Sequence, residues 1–326
     1  MSEPVDLRRE LPALAGMGAL YLISIALAMV FSFVFEDQNI RAFEDPTDPL
    51  NVAIYLVIVI VFTLVLLAIF RWGAKVIIRY IILGSVLITI WYVAQPLLAT
   101  FLTGLGEPPF GLGASGVLAA VPALGLTVLL WFYPEWYVIN TVGVFVAAGA
   151  AGIFGVSVAV PIAILLLAAF AIYDAIAVYR TKHMLDLADS VIELRLPIMF
   201  VVPKSRGYSF LEETRKINKE NPEPEPGEKR EAMFMGLGDA VFPGILVVSA
   251  LAFLDPNVPA VLGMSAPLVV SLVTLLGSFV GFCILMYFVT KGRPHAGLPL
   301  LNGGAIAGFL LALLPIYGVA PLFPWL

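Results

Sequence analysis

The sequence predicts an all-α polytopic membrane protein with nine transmembrane helices, and three observations carry that prediction. The chain of 326 residues is 61% hydrophobic and 13% charged, with a mean hydropathy of +1.00. A soluble chain of this length needs far more polar surface. Its apolar residues run in stretches of about 20, the length that crosses a hydrocarbon core. Its basic residues collect in alternate gaps between those stretches, as they do in cytoplasmic loops.

The stretches fall near 11–35, 50–70, 76–99, 112–133, 137–156, 159–180, 235–254, 264–290 and 297–317. The first is too long for the apolar core of a signal peptide. No small-residue cleavage pattern follows it before Glu36-Asp37-Gln38, so it is expected to stay as a helix. The first, third and eighth are long enough to tilt. From Tyr137 to Tyr179 almost no charge interrupts 43 residues. One helix of that length would measure about 65 Å, twice a hydrocarbon core. Gly152, Gly155 and Pro161 supply a break, which divides the run into two helices.

The basic residues test this count. Arg8 and Arg9 precede the first stretch, Arg71, Lys75 and Arg79 follow the second, and Lys291 and Arg293 separate the last two. Arg180, Lys182, Arg195, Lys204, Arg206, Arg215, Lys216, Lys219, Lys229 and Arg230 fall in or beside the long connection after the sixth. Nine alternating spans put all of these on one side and leave only Arg41 opposite. The N-terminus is therefore expected in the cytoplasm and the C-terminus outside. Merging the fifth and sixth stretches would put the long basic connection opposite Arg71 and Lys75, against the charge pattern.

That division gives three parts: residues 1–182 with six helices, a cytoplasmic loop at 183–234, and residues 235–326 with three helices. Within the loop, 183–196 (HMLDLADSVIELRL) has the apolar spacing of an amphipathic juxtamembrane helix. The run LPIMFVV at 196–202 has the composition of a strand, and an edge strand there could pair with an extended substrate. Residues 216–230 (KINKENPEPEPGEKR) are too polar and proline-rich to offset the entropy of ordering, so disorder is expected. Glycines at 143, 149, 152 and 155 allow close helix packing. Asn140 and Asn302 read as hydrogen-bonders between helices. Cys283 has no intrachain partner for a disulfide and reads as a small packing residue. His183 and His295 belong to no metal-spaced cluster, so structural zinc is not expected. The interspersed charges argue against nucleic-acid binding.

Asp174 and Asp239 are the charged residues that sit well inside the apolar stretches. A carboxylate inside a bilayer costs several kcal/mol and marks a site. Asp174 lies six residues before Arg180, about 9 Å below the cytoplasmic boundary at helical rise. Asp239 lies nine residues after Arg230, at most about 13 Å below the same boundary if helix begins there. Two carboxylates at one depth suit an aspartyl hydrolase, in which a closely spaced pair shares one proton. They suit proton or cation coupling in a transporter equally well. The neighbours favour a site that an extended peptide can reach. Gly236 and Gly238 let backbone approach Asp239 closely, and Pro243 frees a carbonyl one turn earlier. Broken transporter helices share these features, so both readings stand at this point.

The pair stands in AIYDAIAVY, with Tyr173 before Asp174, and in GLGDAVFPG, with Gly236-Leu237-Gly238 before Asp239. Tyr-Asp and Gly-Leu-Gly-Asp in consecutive spans across a long loop resemble the presenilin and signal-peptide-peptidase superfamily of intramembrane aspartyl proteases. The AVFPG continuation is similar to the signal-peptide-peptidase branch, while the expected orientation is similar to presenilin. A prokaryotic presenilin homologue is the nearest resemblance. The family's third signature, Pro-Ala-Leu and often a further Pro, is matched by Leu298-Pro299 but not by Ala296-Gly297.

The resemblance implies that Asp174 and Asp239 are catalytic and that Tyr173, Gly236, Leu237, Gly238, Leu298 and Pro299 position substrate. It implies an endopeptidase that hydrolyses peptide bonds within transmembrane helices, without metal or other cofactor. The expected substrates are single-span helices or membrane-protein remnants in the lipid bilayer of a prokaryotic cell. A homo-oligomer is compatible with it. A proton- or cation-coupled transporter or channel is the alternative.

Overall fold

The computed structural model of the protein describes residues 7–71, 75–102, 113–181, 198–205, 207–213, 231–291 and 295–322. Helices α1 (Leu7–Asp37), α2 (Leu50–Arg71), α3 (Lys75–Phe101), α4 (Ala114–Phe132) and α5 (Trp136–Gly155) follow the predicted stretches in order. So do α6 (Val160–Ile176), α7 (Gly238–Phe253), α8 (Ala266–Thr290) and α9 (Leu298–Tyr317). Strands β1 (Met199–Pro203) and β2 (Ala232–Gly236) lie between α6 and α7 in the chain. The protein is an all-α polytopic membrane protein that carries a small antiparallel sheet.

The expected count of nine spans is corrected. Among the described residues, seven helices are long and apolar enough to cross a membrane; α2, in its described apolar part Leu50–Leu66, and α7 are shorter. For α7 the reason is local. The predicted stretch began at 235, but Ala232–Gly236 is strand, so helix starts only at Gly238 and runs 16 residues. That is about 24 Å, short of a ~30 Å core. The helical rise assumed between Arg230 and Asp239 fails for the same reason. The break expected between the fifth and sixth stretches is present, with α5 ending at Gly155 and Pro161 in the first turn of α6. The amphipathic helix expected at 183–196 and the disorder expected at 216–230 fall outside the described residues.

The chain divides into two compact units. One contains Met1–Tyr21, Val65–Val146 and His183–Leu237. Within it, Arg79 lies 4.5 Å over the ring of Trp131 and donates to that residue's carbonyl at 2.8 Å. The sheet pairs Phe200 with Met235 and Val202 with Met233. Leu237 N–H extends the ladder to Ile198 O at 3.1 Å. Val201 points its backbone groups away from β2, and the Asn140 side chain takes both: it donates to Val201 O at 2.7 Å and accepts from Val201 N–H at 2.8 Å. One amide thus stands in for a third strand. The strand expected within 196–202 begins at Met199 and runs to Pro203; it pairs with β2 on one edge and meets Asn140 at Val201 on the other.

The other unit contains Leu22–Leu64, Ala147–Lys182 and Gly238–Leu326. Its core joins Leu166 and Phe170 of α6, Leu246 and Ala250 of α7, Val270 of α8, and Leu298, Phe309 and Leu313 of α9. Helices α8 and α9 touch backbone to backbone: a β-carbon on Gly304 would lie 2.4 Å from Gly277 O, and one on Gly281 would lie 2.2 Å from Leu300 O. Without hydrophobic gain between helices in lipid, such close packing supplies dispersion contacts that larger residues forbid. The turn between α5 and α6 is held by Ser249 Oγ donating to Val158 O at 2.7 Å and by Ala159 N–H donating to Pro46 O at 2.9 Å.

Candidate active site

Asp174 occupies the last turn of α6, followed directly by a π-helical turn, Ala177–Thr181. Such turns occur often at functional sites. The residue is 8% exposed, which at this position requires a partner. That partner is backbone. Leu298 N–H at the start of α9 donates to Asp174 Oδ2 at 3.0 Å. The first N–H groups of a helix lack internal acceptors, and Gly297 at the N-cap has no side chain to supply one. Asp174 therefore caps α9 from another helix, where the helix dipole favours a carboxylate.

Asp239 stands in the first turn of α7, the helix end that also favours negative charge. Pro243, four residues on and buried, removes the helical donor that Asp239's carbonyl would ordinarily meet. The Asp239 side chain reaches the same dipeptide as Asp174. A β-carbon built on Gly297 would lie 3.1 Å from Asp239 Oδ1 and 3.4 Å from Leu285 Cδ2. Two carboxyl groups from α6 and α7 thus converge on Gly297-Leu298. Just upstream, Ala296 N–H donates to the hydroxyl of Tyr179 at 3.4 Å. Deeper in the unit, Asn302 Nδ2 donates to Leu167 O at 2.9 Å and ties α9 to α6. The sequence reading of Asn302 as a bond between helices is met.

The remaining predicted residues divide. Leu298 is buried beside Asp174, and Pro299 fits the first turn of α9 because proline lacks only an N–H that has no helical acceptor. Tyr173 packs into the core, with its ring 6.4 Å from Phe170 in an edge-on arrangement. Gly238 begins α7, whereas Gly236 and Leu237 belong to the other unit. There Leu237 packs on Gly143, where a β-carbon would lie 3.0 Å from it. Sequence reasoning missed Gly297, which it counted only as a departure from the third signature. Its missing side chain leaves the space that Asp239 occupies, and adjacency to Leu298-Pro299 was the available signal.

Similarity to known proteins agrees with this geometry. The family described as "Signal-peptide peptidase, presenilin aspartyl protease" matches residues 18–318. A structure of a presenilin-family intramembrane aspartate protease in the C222 space group is 34% identical, with 92% of this chain and 98% of that one covered and a TM-score of 0.64. A structure of a presenilin-family intramembrane aspartate protease in the P2 space group is 32% identical, covering 91% and 96%, with a TM-score of 0.61. No curated protein matches significantly. None of these similarities supports the transporter or channel alternative. With the match running through both aspartate-bearing helices and the Leu298-Pro299 turn, the chain belongs to the presenilin and signal-peptide-peptidase family and is an intramembrane aspartic endopeptidase.

Proposed function

We propose that Asp174 and Asp239 are the catalytic pair and that the protein cleaves single-span transmembrane helices within the bilayer. The observation that carries this is the convergence of both carboxyl groups on Gly297-Leu298. Two carboxyls held at one place do not both ionise readily, so the pair retains one proton. The ionised member takes a proton from water as its oxygen attacks the scissile carbonyl. The protonated member polarises that carbonyl, then gives its proton to the amide nitrogen as the C–N bond breaks. Tyr173, Gly236, Leu237, Gly238, Leu298 and Pro299 are assigned to positioning the unwound substrate.

The proposed orientation keeps the N-terminus in the cytoplasm and the C-terminus outside. It is supported by the one-sided basic residues. The three functional parts remain 1–182, 183–234 and 235–326. Membrane-protein remnants are included as substrates, and assembly into a homo-oligomer is compatible with the reading.

The test is purified protein in lipid incubated with a single-span helix, with products mapped by mass spectrometry. New termini inside the cytoplasmic part of the helix are expected. Cuts confined to the substrate's water-exposed flanks would contradict the reading.

A further inference from the structure

Beneath the two aspartates lies an aromatic cluster that the catalytic reading does not use. Phe170 precedes Asp174 by four residues on α6, and Phe242 follows Asp239 by three on α7. Residues at those spacings share a helix face one turn apart. The two rings stack on each other, with centroids 4.2 Å apart and planes 29° from parallel. Tyr55 of α2 meets both edge-on, at 5.7 Å from Phe170 and 6.5 Å from Phe242. Its other side meets Phe154 of α5 at 4.7 Å. Phe170 is 2% exposed. The Phe242 ring also reaches back beneath the chain entering α7, within 3.6 Å of where a β-carbon on Gly238 would stand.

We propose that Phe170 and Phe242 are positioning residues that set the separation of Asp174 and Asp239, with Tyr55 as the wedge that keeps their rings stacked. The inference rests on the catalytic reading of the two aspartates and adds to it. Each aspartate is one helical turn from a ring, and the rings are in van der Waals contact. The stack is therefore a direct contact between α6 and α7 one helical turn from each aspartate. Offset aromatic stacking favours a narrow range of separations, and reacting groups displaced by about 1 Å lose roughly a hundredfold in rate. Helix α9 also reaches both carboxyls, with the Leu298 N–H at Asp174 Oδ2 and Gly297 beside Asp239 Oδ1. The aromatic stack provides a direct constraint between the two helices.

The consequence is a particular kinetic signature. The interaction between two carboxyls sharing a proton splits their apparent pKa values, and the splitting shrinks as the groups separate. Loosening the stack should lower kcat and narrow the bell-shaped pH profile, with little change in KM. Other titratable groups on the surrounding elements include Tyr173 on α6, Tyr179 in the π-helical turn after it, Tyr55 on α2, Cys283 and Tyr287 on α8, Tyr317 on α9, and His295 before α9, whose ring stacks on Phe288 at 4.7 Å. In variants of Phe170 and Phe242 all of these remain.

The experiment measures kcat, KM and the pH profile for Phe170→Leu, Phe242→Leu and Tyr55→Leu, with thermal stability recorded in parallel. Each leucine variant is expected to lose about tenfold in kcat and about half a pH unit of profile width. Tyr55→Phe, which keeps the edge-on ring, is expected to recover both. Leucine variants that melt lower but keep kcat and profile width would show an ordinary core contact and overturn the proposal. So would a rise in KM at constant kcat. Asp174→Asn and Asp239→Asn run alongside: if either stays active, the catalytic reading fails; if both are inactive while the aromatic variants behave as wild type, only the positioning role fails. Should Phe170→Leu fail to fold, Phe242→Leu, at a partly exposed residue, decides the outcome.

Discussion

Leu298 donates its backbone N–H to Asp174 Oδ2 at 3.0 Å, so the contact between α9 and the buried aspartate is independent of side-chain identity at 298. The neighbouring residue is where identity matters. Gly297 leaves beside Asp239 Oδ1 a space that a β-carbon would enter at 3.1 Å.

Gly297→Ala should lower kcat by less than about a hundredfold, because the carboxylate must shift by only a few tenths of an ångström. Gly297→Val should lower it further. Steady-state cleavage rates on a single-span substrate check both. The family signature carries alanine at this position, so the outcome is informative. An Ala variant faster than wild type would show that the Asp239 carboxylate works from a different place.

Asn140→Leu should destabilise the unit that contains the sheet. It keeps the branched outline of the side chain but strands the Val201 N–H and C=O, which Asn140 satisfies at 2.8 and 2.7 Å. A buried backbone group without a partner costs about 1–3 kcal/mol. Denaturation of the purified protein in detergent is expected to shift to lower temperature and lower denaturant. An unchanged midpoint would mean that water or another group reaches Val201.

Tyr208, in the segment that follows β1, is buried and donates its hydroxyl proton to Glu213. Burial, and then the Glu213 carboxylate, push its pKa above the ordinary tyrosine range. The folded state therefore holds this proton more tightly than the unfolded chain. The resulting stability is fully present below about pH 10, the ordinary tyrosine value, and is lost as pH rises beyond it. Tyr208→Phe should be less stable than wild type at neutral pH, with the two stability curves converging in alkali. Parallel curves across that range would contradict the assignment.

Hydropathy and charge alternation place the apolar helices because burial in lipid is read directly from composition. Strand β2 escaped that reading. Its residues, AMFMG, are as apolar as a helix entrance, and only pairing with β1, some thirty residues earlier, makes them a strand. Asn140 was legible as a hydrogen-bonder between helices, yet its partner is a strand that no helical count contains. The two aspartates were legible because a charge in lipid demands an explanation. Gly297 was not, because a glycine's contribution is the space it leaves, and that space exists only once α7 and α9 are packed. The Phe170–Phe242 stack is hidden likewise: each ring reads as core, and their meeting depends on how α6 and α7 face each other.

The most direct test compares wild type with Asp174→Asn and Asp239→Asn in lipid. It measures cleavage of a single-span helix together with binding of an aspartyl-protease transition-state analogue. Asparagine preserves shape and can still accept the Leu298 N–H, so the variants are expected to remain folded. Loss of an acid–base group should cost at least about 10²–10⁴ in rate. The account predicts that cleavage within the helix disappears in both variants, and that the wild type alone binds the analogue tightly. Sustained cleavage by either folded variant would contradict the assignment of Asp174 and Asp239 as the catalytic pair.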